Sequence, residues 1–329
     1  MAESVTVLVD ADPLVYRVGF ACEHASYSLT WSDVDPAHRD DPDYDRVHTA
    51  FFDNAERCEE FQRLLALDPA EVLRERNITP EPLAYCLRTL RESIEAIQRF
   101  VTQYLAYHGQ VPGEMKLFLT GGNQFRDKLA TIKPYKGNRD RTKRPYWYKD
   151  IREYLVAVWQ AEVCEIIEAD DAVALYQWQT EDLGSSIICT LDKDLRMVPG
   201  HHYSYYKQKA EHIGFEAALH AFYTQLLLGD ASDNIPGVYK VGPAAARELL
   251  PAPLPEQEMF DVVLRAYEDN MAKHPEKHAP HTDPLSSLIE NGRLLWMLDQ
   301  PDRLWTPPGM PEASLSEWLA SLPPEDPDA

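Results

Sequence analysis

SVTVLVDAD, at residues 4–12, decides the expected fold, because a short β-branched and apolar run ends here in two acids. Such a run predicts a buried strand of a parallel sheet, with Asp10 and Asp12 at its carboxyl end. Open α/β sheets place their sites at that end of the strands. The segment therefore predicts both the fold class and the edge of the sheet at which the chemistry lies.

Three similar runs follow, and segments with helical spacing separate them. The further strands are predicted at 116–119, 163–167 and 186–191, and the helices at 81–108, 147–159 and 170–181. Alternation of this kind indicates an α/β fold, with a mostly parallel central sheet and helices on both faces.

The pattern divides the chain into two predicted domains. Residues 1–210 form the sheet domain, with an insertion at about 33–80 that has low periodicity and an acidic patch. The acids of its first part are Asp33, Asp35, Asp40, Asp41, Asp43 and Asp45. Residues 211–329 form a helical subdomain without strands, with helices predicted at 214–228, 242–250, 257–272 and 286–298. The proline-rich and acidic tail, 323–329, is predicted to be disordered.

Composition excludes several protein classes. The 329 residues contain no apolar run long enough to span a bilayer, and the start of the chain lacks the pattern of a secretory signal. The five cysteines are widely spaced and match no zinc motif, so we expect reduced core residues. We therefore expect a cytoplasmic monomer with no membrane partner.

The charge of the chain is strongly uneven. The net charge is −22, yet the basic segment, residues 123–152, contains ten Lys or Arg against three Asp. A charged run is often only a solvated surface, but here Tyr135, Tyr146, Trp147 and Tyr148 are interleaved with the cations. Aromatic rings can stack on unpaired bases while cations contact phosphates, so the segment predicts nucleic-acid binding. The candidate contacts are Arg126, Lys133, Arg141, Lys143 and Arg144.

Four groups of acids lie at predicted strand ends or in the turns that follow. The groups are Asp10 with Asp12, Glu168 with Asp170 and Asp171, Asp192 with Asp194, and Asp230 with Asp233. In a parallel sheet these positions converge on one edge, where the carboxylates would repel one another without cations among them. Oxygen ligands favour Mg²⁺ or Mn²⁺, and two ions about 3.5–4 Å apart support phosphodiester hydrolysis. A single acid such as Asp170 could instead be a helix N-cap.

Taken together, these groups resemble the successive motifs of the 5′-3′ exonuclease and flap endonuclease family. The motifs are Val9-Asp10-Ala11-Asp12, Glu168-Ala169-Asp170-Asp171, Thr190-Leu191-Asp192-Lys193-Asp194, and Gly229-Asp230-Ala231-Ser232-Asp233-Asn234-Ile235-Pro236-Gly237-Val238 followed by Val241-Gly242-Pro243. The resemblance covers roughly residues 4–20 and 115–250. Phe125-Arg126 and Tyr135-Lys136-Gly137-Asn138-Arg139 are closest to the bacteriophage branch, which includes the exonucleases of T-odd phages.

The resemblance implies a PIN-like α/β nuclease fold and a 5′-3′ deoxyribonuclease that uses two Mg²⁺ or Mn²⁺ ions, located in the host cytoplasm if phage-encoded. Its substrate would be DNA with a 5′ end, flap or overhang, and RNA–DNA hybrids are further candidates. Many members carry a neutral residue at the position of Asp12, which is therefore not assigned. The implied metal ligands are Asp10, Glu168, Asp170, Asp171, Asp192, Asp194, Asp230 and Asp233.

The basic segment also has an implied role, as an arch or clamp over the site through which a single-stranded 5′ end passes. By resemblance, Tyr135 stacks on a base near the cut, Lys136 neutralises charge on the scissile phosphate, and Arg139 assists. Only about one long helix fits between Arg139 and Glu168, so we expect a short arch.

Residues 229–246 resemble a helix-three-turn-helix motif, which binds duplex DNA by its backbone without reading sequence. Gly237, Lys240 and Gly242 are the implied contacts, and the resemblance suggests a bound K⁺ ion. Glycines and prolines of this kind also occur in ordinary corners between helices.

One departure from the family pattern falls at Gly121, where members usually carry an aspartate at the end of the second strand. The missing acid leaves open a catalytically weakened, DNA-structure-binding relative. A second alternative is a haloacid-dehalogenase-type phosphatase with Asp10 as nucleophile, which would leave the acids at 168–171 unexplained. A nuclease acting only on RNA is a third.

Overall fold

The computed structural model describes residues 4–33, 46–70, 72–140, 143–180 and 183–323. Its strands are β1 Ser4–Asp10, β2 Glu23–Asp33, β3 Arg46–Phe52, β4 Val72–Pro80, β5 Val111–Thr120, β6 Glu162–Cys164, β7 Ser186–Cys189, β8 Gly200–Ser204, β9 Lys209–Ile213, β10 Gly229–Asp230, β11 Ile235–Pro236, β12 Arg303–Leu304 and β13 Ala313–Ser314. Its α-helices are α1 Asp12–Ala21, α2 Ala55–Leu64, α3 Leu83–Tyr107, α4 Phe125–Leu129, α5 Tyr148–Trp159, α6 Ala169–Gln179, α7 Phe215–Leu228, α8 Pro243–Leu249, α9 Glu256–Lys273, α10 Pro275–His278, α11 Pro284–Leu295 and α12 Leu315–Ser321.

The chain forms two compact units. Unit 1 contains the described residues up to Leu14, Ser93–Lys143, and the chain from Arg152 onward. Unit 2 contains Val15–Glu92 and Arg144–Ile151. The boundary that the sequence suggested at residue 210 is not a boundary between these units, because the chain on both sides of it lies in unit 1.

A six-stranded sheet forms the centre of unit 1, in the order β6-β5-β1-β7-β8-β9. All neighbouring strands are parallel except β8 and β9, and β1 pairs with β5 on one side and β7 on the other. Val5, Val7, Leu8 and Val9 of β1 are buried, as a run of apolar residues in a central strand requires. Helix α6 packs on β1, β5, β6 and β7. This mostly parallel sheet flanked by helices confirms the predicted α/β class.

The helices of unit 1 begin and end where local chemistry favours it. At α6, the Glu168 side chain and the Asp171 side chain form a reciprocal capping box. Helix α7 ends at Gly229, whose φ of +67° is the left-handed conformation that glycine adopts without a side-chain clash. A side chain at Gly229 would also lie 2.2 Å from the Gly237 nitrogen.

Unit 2 contains a three-stranded antiparallel sheet in the order β3-β2-β4. Leu29 and Cys58 are completely buried there, and Phe61 of α2 packs on Trp31 and Phe52. The described part of 33–80 therefore contains two strands and a helix, which the low periodicity of its sequence did not reveal. Acids between residues 34 and 45 lie outside the described residues.

Helices α7, α8, α9 and α11 follow the predicted C-terminal helices closely. The expectation that strands stop near residue 210 is wrong, since β9 reaches Ile213 and two short antiparallel pairs, β10–β11 and β12–β13, follow it. Within the described ranges, no helix is long and apolar enough to cross a membrane. Residues 324–329 of the predicted disordered tail lie outside the described residues.

Candidate functional site

Asp10 lies buried at the carboxyl end of β1, only 3% exposed. Thr190 donates a hydrogen bond to its Oδ2 at 3.0 Å. Burial, together with the nearby Asp12 and Asp192 carboxylates, raises the pKa of Asp10 well above its usual range. A carboxyl group in this position is stabilised either by a proton or by a cation.

Asp192 and Asp194 follow β7 in a tight turn, in which the Asp194 N–H donates to Asp192 Oδ1 at 2.8 Å. Burial raises the pKa of Asp192, and the Asp233 and Asp230 carboxylates add to this effect. Burial also raises the pKa of Asp194, to about 7, with contributions from Asp192 and Asp230. The turn thus delivers two crowded carboxylates next to the loop that follows α7.

Asp230 comes from β10 and meets the Asp192–Asp194 turn through Gln225. The Gln225 Nε2 atom donates to Asp194 Oδ1 at 2.8 Å and to Asp230 Oδ2 at 3.3 Å. Burial opposes ionisation of Asp230, but two hydrogen bonds from Ser232 and the Lys193 ammonium outweigh it and hold the pKa at about 2. Two sequence-distant carboxylates therefore share one amide donor.

Glu168 and Asp170 lie at the start of α6. Glu168 accepts hydrogen bonds from the Lys136 ammonium and, at 2.6 Å, from the Tyr135 hydroxyl. Burial opposes its ionisation, but Lys136 and Arg126 outweigh burial and lower the pKa of Glu168. Burial and the neighbouring Glu168 and Asp171 raise the pKa of Asp170 well above its usual range. Glu168 is thus charge-balanced, and Asp170 is not.

Arg126 and Asp171, predicted as a DNA contact and a metal ligand, form a buried pair in the structure. Arg126 is 1% exposed, its guanidinium is bound to Asp171, and it also donates to the carbonyls of Leu294 and Trp296 at 2.9 and 2.8 Å. Asp171 is completely buried and accepts further hydrogen bonds from the Glu168 and Leu298 amides. Arg126 is therefore enclosed in the protein interior, and Asp171 is its buried hydrogen-bonded partner.

The Tyr135 ring, which was predicted to stack on a base, is 5% exposed within the hydrophobic core. Its hydroxyl donates to Glu168, and to Asp233 at 3.0 Å. Burial and these acids raise the pKa of Tyr135 well above its usual range. The phenol therefore fixes two carboxylates in place.

The part of the basic segment around Lys136 is hydrogen-bonded to the loop 229–236. The backbone N–H of Lys136 donates to the Asp233 carbonyl at 2.9 Å, and Arg139 binds the Asp233 carboxylate. The Asn138 side-chain amide donates to the Ala231 carbonyl at 2.6 Å. The Asn234 side-chain amide donates in return to the Pro134 carbonyl at 2.9 Å. Asp233 is thereby charge-balanced by the basic segment.

The remaining basic candidates that the structure describes are exposed. Lys133 and Lys143 lie in unit 1, and Lys143 is 3.4 Å from Asp140. Arg144 lies in unit 2, where its guanidinium lies over the Tyr148 ring at 4.8 Å. Arg141 lies outside the described residues. Their contact with DNA stays a prediction.

Gly237, Lys240 and Gly242, the predicted DNA contacts in residues 229–246, differ in how closely other atoms surround them. A side chain at Gly237 would lie 2.3 Å from the Gly229 nitrogen, so this glycine is required for close backbone packing. Gly242 is the N-cap of α8, and a side chain there would meet open space. Lys240 is exposed, with its ammonium 5.3 Å from the centre of the Tyr239 ring.

Asp12 and Gly121 lie near each other at the end of β5. Asp12 accepts from the Thr120 N–H at 2.9 Å and pairs with Arg152 at 2.8 Å, so it joins the end of β1 to the end of β5. At Gly121, a Cβ atom would lie 2.5 Å from Glu165 Oε1 and 2.8 Å from the Cys164 carbonyl oxygen. The Glu165 carboxylate therefore occupies the space of the missing side chain.

Sequence reasoning missed the residues that orient the acids, namely Thr190, Gln225, Arg152, Ser232 and Lys193. Thr190 and Lys193 lie inside the quoted motif 190–194, and their positions beside the acids are a signal that could have identified them. Gln225 gives no such signal, because it lies within helix α7 and outside the quoted motifs.

The acids fit a hydrated ion better than a closed protein cage. Among the described residues, no three His, Cys, Asp or Glu side chains converge closely enough to hold a metal ion by themselves. Mg²⁺ commonly keeps several waters and binds through one or two carboxylates. Asp10, Asp170, Asp192 and Asp194, whose raised pKa values reflect burial and mutual repulsion, have the donor chemistry for that mode.

The chain is similar to several proteins of known function. No family model matches the sequence. Among solved structures, similar chains include 5′ nucleases. The particular proteins come from bacteriophage T5: a zinc-bound 5′-exonuclease is 14% identical, covers 89% of each chain and has a TM-score of 0.45. A flap endonuclease in a pseudo-enzyme–product complex with DNA and metal ions is 16% identical, covers 64% of this chain and 80% of its own, and has a TM-score of 0.41.

One curated protein is similar in sequence. DNA polymerase I of Rhizobium leguminosarum is 33% identical over 96 residues, which are 26% of this chain. The match spans 9% of the length of the polymerase, so it concerns a small part of that protein.

Proposed function

We propose that this protein is a divalent-metal-dependent 5′ nuclease that hydrolyses DNA phosphodiesters at or near a 5′ end. One observation carries the proposal: Asp10, Asp192 and Asp230 come from distant segments and lie close enough to affect one another's ionisation. The Asp192 carboxylate raises the pKa of Asp10, and the Asp230 carboxylate raises the pKa of Asp192. The cation Lys136 lies near the same acids. Crowded carboxylates beside a cation are suited to binding metal ions and phosphate together.

The acids with raised pKa values, together with Asp230, are the residues that would hold the ions. Bound Mg²⁺ or Mn²⁺ ions supply activation of water and stabilisation of the leaving oxygen, and we propose two of them. Thr190 orients Asp10, and Gln225 holds Asp194 and Asp230 together. Lys136, fixed by Glu168 and Asp233, would stabilise charge that develops on the phosphate, with Arg139 beside it.

DNA with a 5′ end, flap or overhang is the proposed substrate, and RNA–DNA hybrids belong to the same proposal. The exposed Lys240 and the backbone N–H of Gly242 would contact the duplex phosphates, and residues 229–246 would hold K⁺. The exposed Lys133 would add a salt-dependent contact.

Cleavage of 5′-labelled flap and blunt duplex DNA, in Mg²⁺ and in EDTA, tests the proposal. We expect short labelled products in Mg²⁺ and none in EDTA. Asp192→Asn should abolish cleavage while the melting curve stays cooperative, since the substitution removes a charged metal ligand. Undiminished cleavage in excess EDTA would exclude the mechanism. A phosphatase would release inorganic phosphate and leave the DNA strand intact, which the same gel distinguishes.

A second candidate function is DNA-structure binding without efficient cleavage. It is favoured by Gly121, which supplies no acid at the end of β5, and by the cations that already balance Glu168. A retarded flap complex in Mg²⁺ with no cleavage by the wild-type chain would support this function instead.

A further inference from the structure

Lys193 contacts two of the acids from the solvent side. Its ammonium lies 3.2 Å from Asp230 Oδ2 and 3.9 Å from Asp194 Oδ1, while its side chain is 68% exposed. The two acids are almost inaccessible by comparison, at 2% and 13% side-chain exposure. The positive charge therefore sits at the mouth of a buried pair of carboxylates.

The two carboxylates cannot separate to relieve their repulsion. Gln225 donates to both, and the Asp230 Oδ1 atom is fixed by the backbone N–H and the hydroxyl of Ser232. Negative charge at this point is therefore built into the fold and requires a counter-charge. Lys193 supplies one in the structure described here.

A lysine is a compact charge on a flexible stem, so it can leave the pair without disturbing the backbone. Its exposure gives it a path into solvent. A divalent ion at the Asp194–Asp230 pair would lie within a few ångströms of the ammonium, and two cations so close repel each other.

From these contacts we propose that Lys193 is a tethered counter-ion of the Asp194–Asp230 pair, which a divalent ion displaces when it binds. The inference rests on the proposed function, since it concerns the metal ions of that same site. Lys193 stabilises the metal-free protein and at the same time weakens metal binding, so the ammonium and the ion compete for the same pair of acids.

The test is a titration of the metal-free, full-length protein with Mn²⁺, in which the paramagnetic resonance signal reports the free ion. Lys193→Met should lower the Mn²⁺ dissociation constant about threefold to tenfold, because it removes one positive charge close to the ion. Lys193→Glu should lower it further, and Lys193→Arg should behave as the wild type. Lys207→Met removes another exposed lysine, between β8 and β9, and should leave the constant unchanged.

Thermal unfolding gives a second readout that needs no activity. In EDTA, Lys193→Met should melt below the wild type, and saturating Mn²⁺ should remove the difference. Equal dissociation constants across Arg, Met and Glu would overturn the counter-ion role while leaving the proposed nuclease intact. A wild-type chain that binds no Mn²⁺ would overturn both, and so the two failures are distinguishable.

Discussion

Lys136 is the residue whose charge most directly tests the proposed chemistry. Burial opposes its protonation, but Glu168 and Asp233 outweigh burial and raise its pKa, so the cation is permanent near neutrality. We expect Lys136→Met to lower the turnover number about a hundredfold, with a smaller effect on DNA affinity, because the contact strengthens as charge develops. Single-turnover cleavage and equilibrium binding measure the two quantities.

Lys133→Met is the matched control for Lys136, since it removes an exposed lysine of the same basic segment. It should weaken binding, reduce the salt dependence and leave single-turnover cleavage at saturating enzyme unchanged. The reverse pattern, an affinity loss with normal turnover for Lys136→Met, would make Lys136 a simple electrostatic contact.

Gly121 cannot be changed to aspartate without strain. The new Cβ atom would lie 2.8 Å from the Cys164 carbonyl, and backbone atoms cannot move aside as the Glu165 side chain can. We expect Gly121→Asp to lower the free energy of unfolding by about 1–3 kcal/mol. Urea denaturation measures this change.

Gly121→Ala should show most of the same loss, because the clash begins at Cβ. Gly122→Ala is the control, since its Cβ would meet nothing nearer than 3.8 Å. A Gly121→Asp protein as stable as the wild type, with a lower Mg²⁺ requirement for cleavage, would show instead that the position is an open metal site.

At the scale of elements, Arg126 joins α4 and α6 to the carbonyls that end α11. Removing one partner of a buried pair leaves an uncompensated charge, so Arg126→Met should cost about 3–5 kcal/mol of unfolding free energy. Adding Asp171→Asn should recover part of that loss, since the remaining amide is neutral. Urea denaturation of the two single variants and the double variant measures the coupling, and strictly additive losses would contradict it.

The sequence identified the elements whose pattern is apolar and periodic. The observed bounds lie close to the predicted ones for several elements, because each of these buries a continuous face. They are strands β1, β5 and β7 and helices α3, α6, α7 and α9. Strand β4, VLRERNITP, and strand β9, KAEHI, were missed, since edge strands with many polar residues give no apolar alternation.

The positions of Asp10 and Asp192 followed from the rule for strand ends, whereas Asp230 comes directly after helix α7, and several residue roles were not foreseen. Arg126 and Asp171 are buried through contacts with residues 294–298, more than 120 positions away in the sequence. A local sequence pattern cannot predict contacts over such a separation. Tyr135 was assigned to a base because aromatic residues beside cations suit nucleic acid, whereas its hydroxyl is used by two acids. The metal-ligand assignments that remain are still predictions.

At the scale of the whole molecule, the crowded acids predict how stability depends on pH. Asp194 ionises near its usual value of 3.8 when unfolded and at about 7 when folded. Between these values the folded state holds a proton that the unfolded state has released, so the free energy of unfolding falls as pH rises. The metal-free wild type should therefore lose stability relative to Asp194→Asn between pH 4 and 7.

Chemical denaturation of both proteins in EDTA across this range measures the difference. Comparison with the variant is necessary because burial lowers the pKa of His202 to about 4, which destabilises the fold in the opposite direction as pH falls. Saturating Mg²⁺ should flatten the difference, since a bound cation favours the ionised acids. Parallel pH profiles in EDTA would show that Asp194 is not crowded in solution.

The pairing of β2 with β4 in unit 2 brings together the two ends of the segment between them. Glu23 at the start of β2 is the direct partner of Pro80 at the end of β4, so the chain leaves and returns at neighbouring points. The described residues between them have their own packed centre around Leu29 and Phe61. Residues 24–79 could therefore be replaced by a short turn, or by another domain whose termini lie close together.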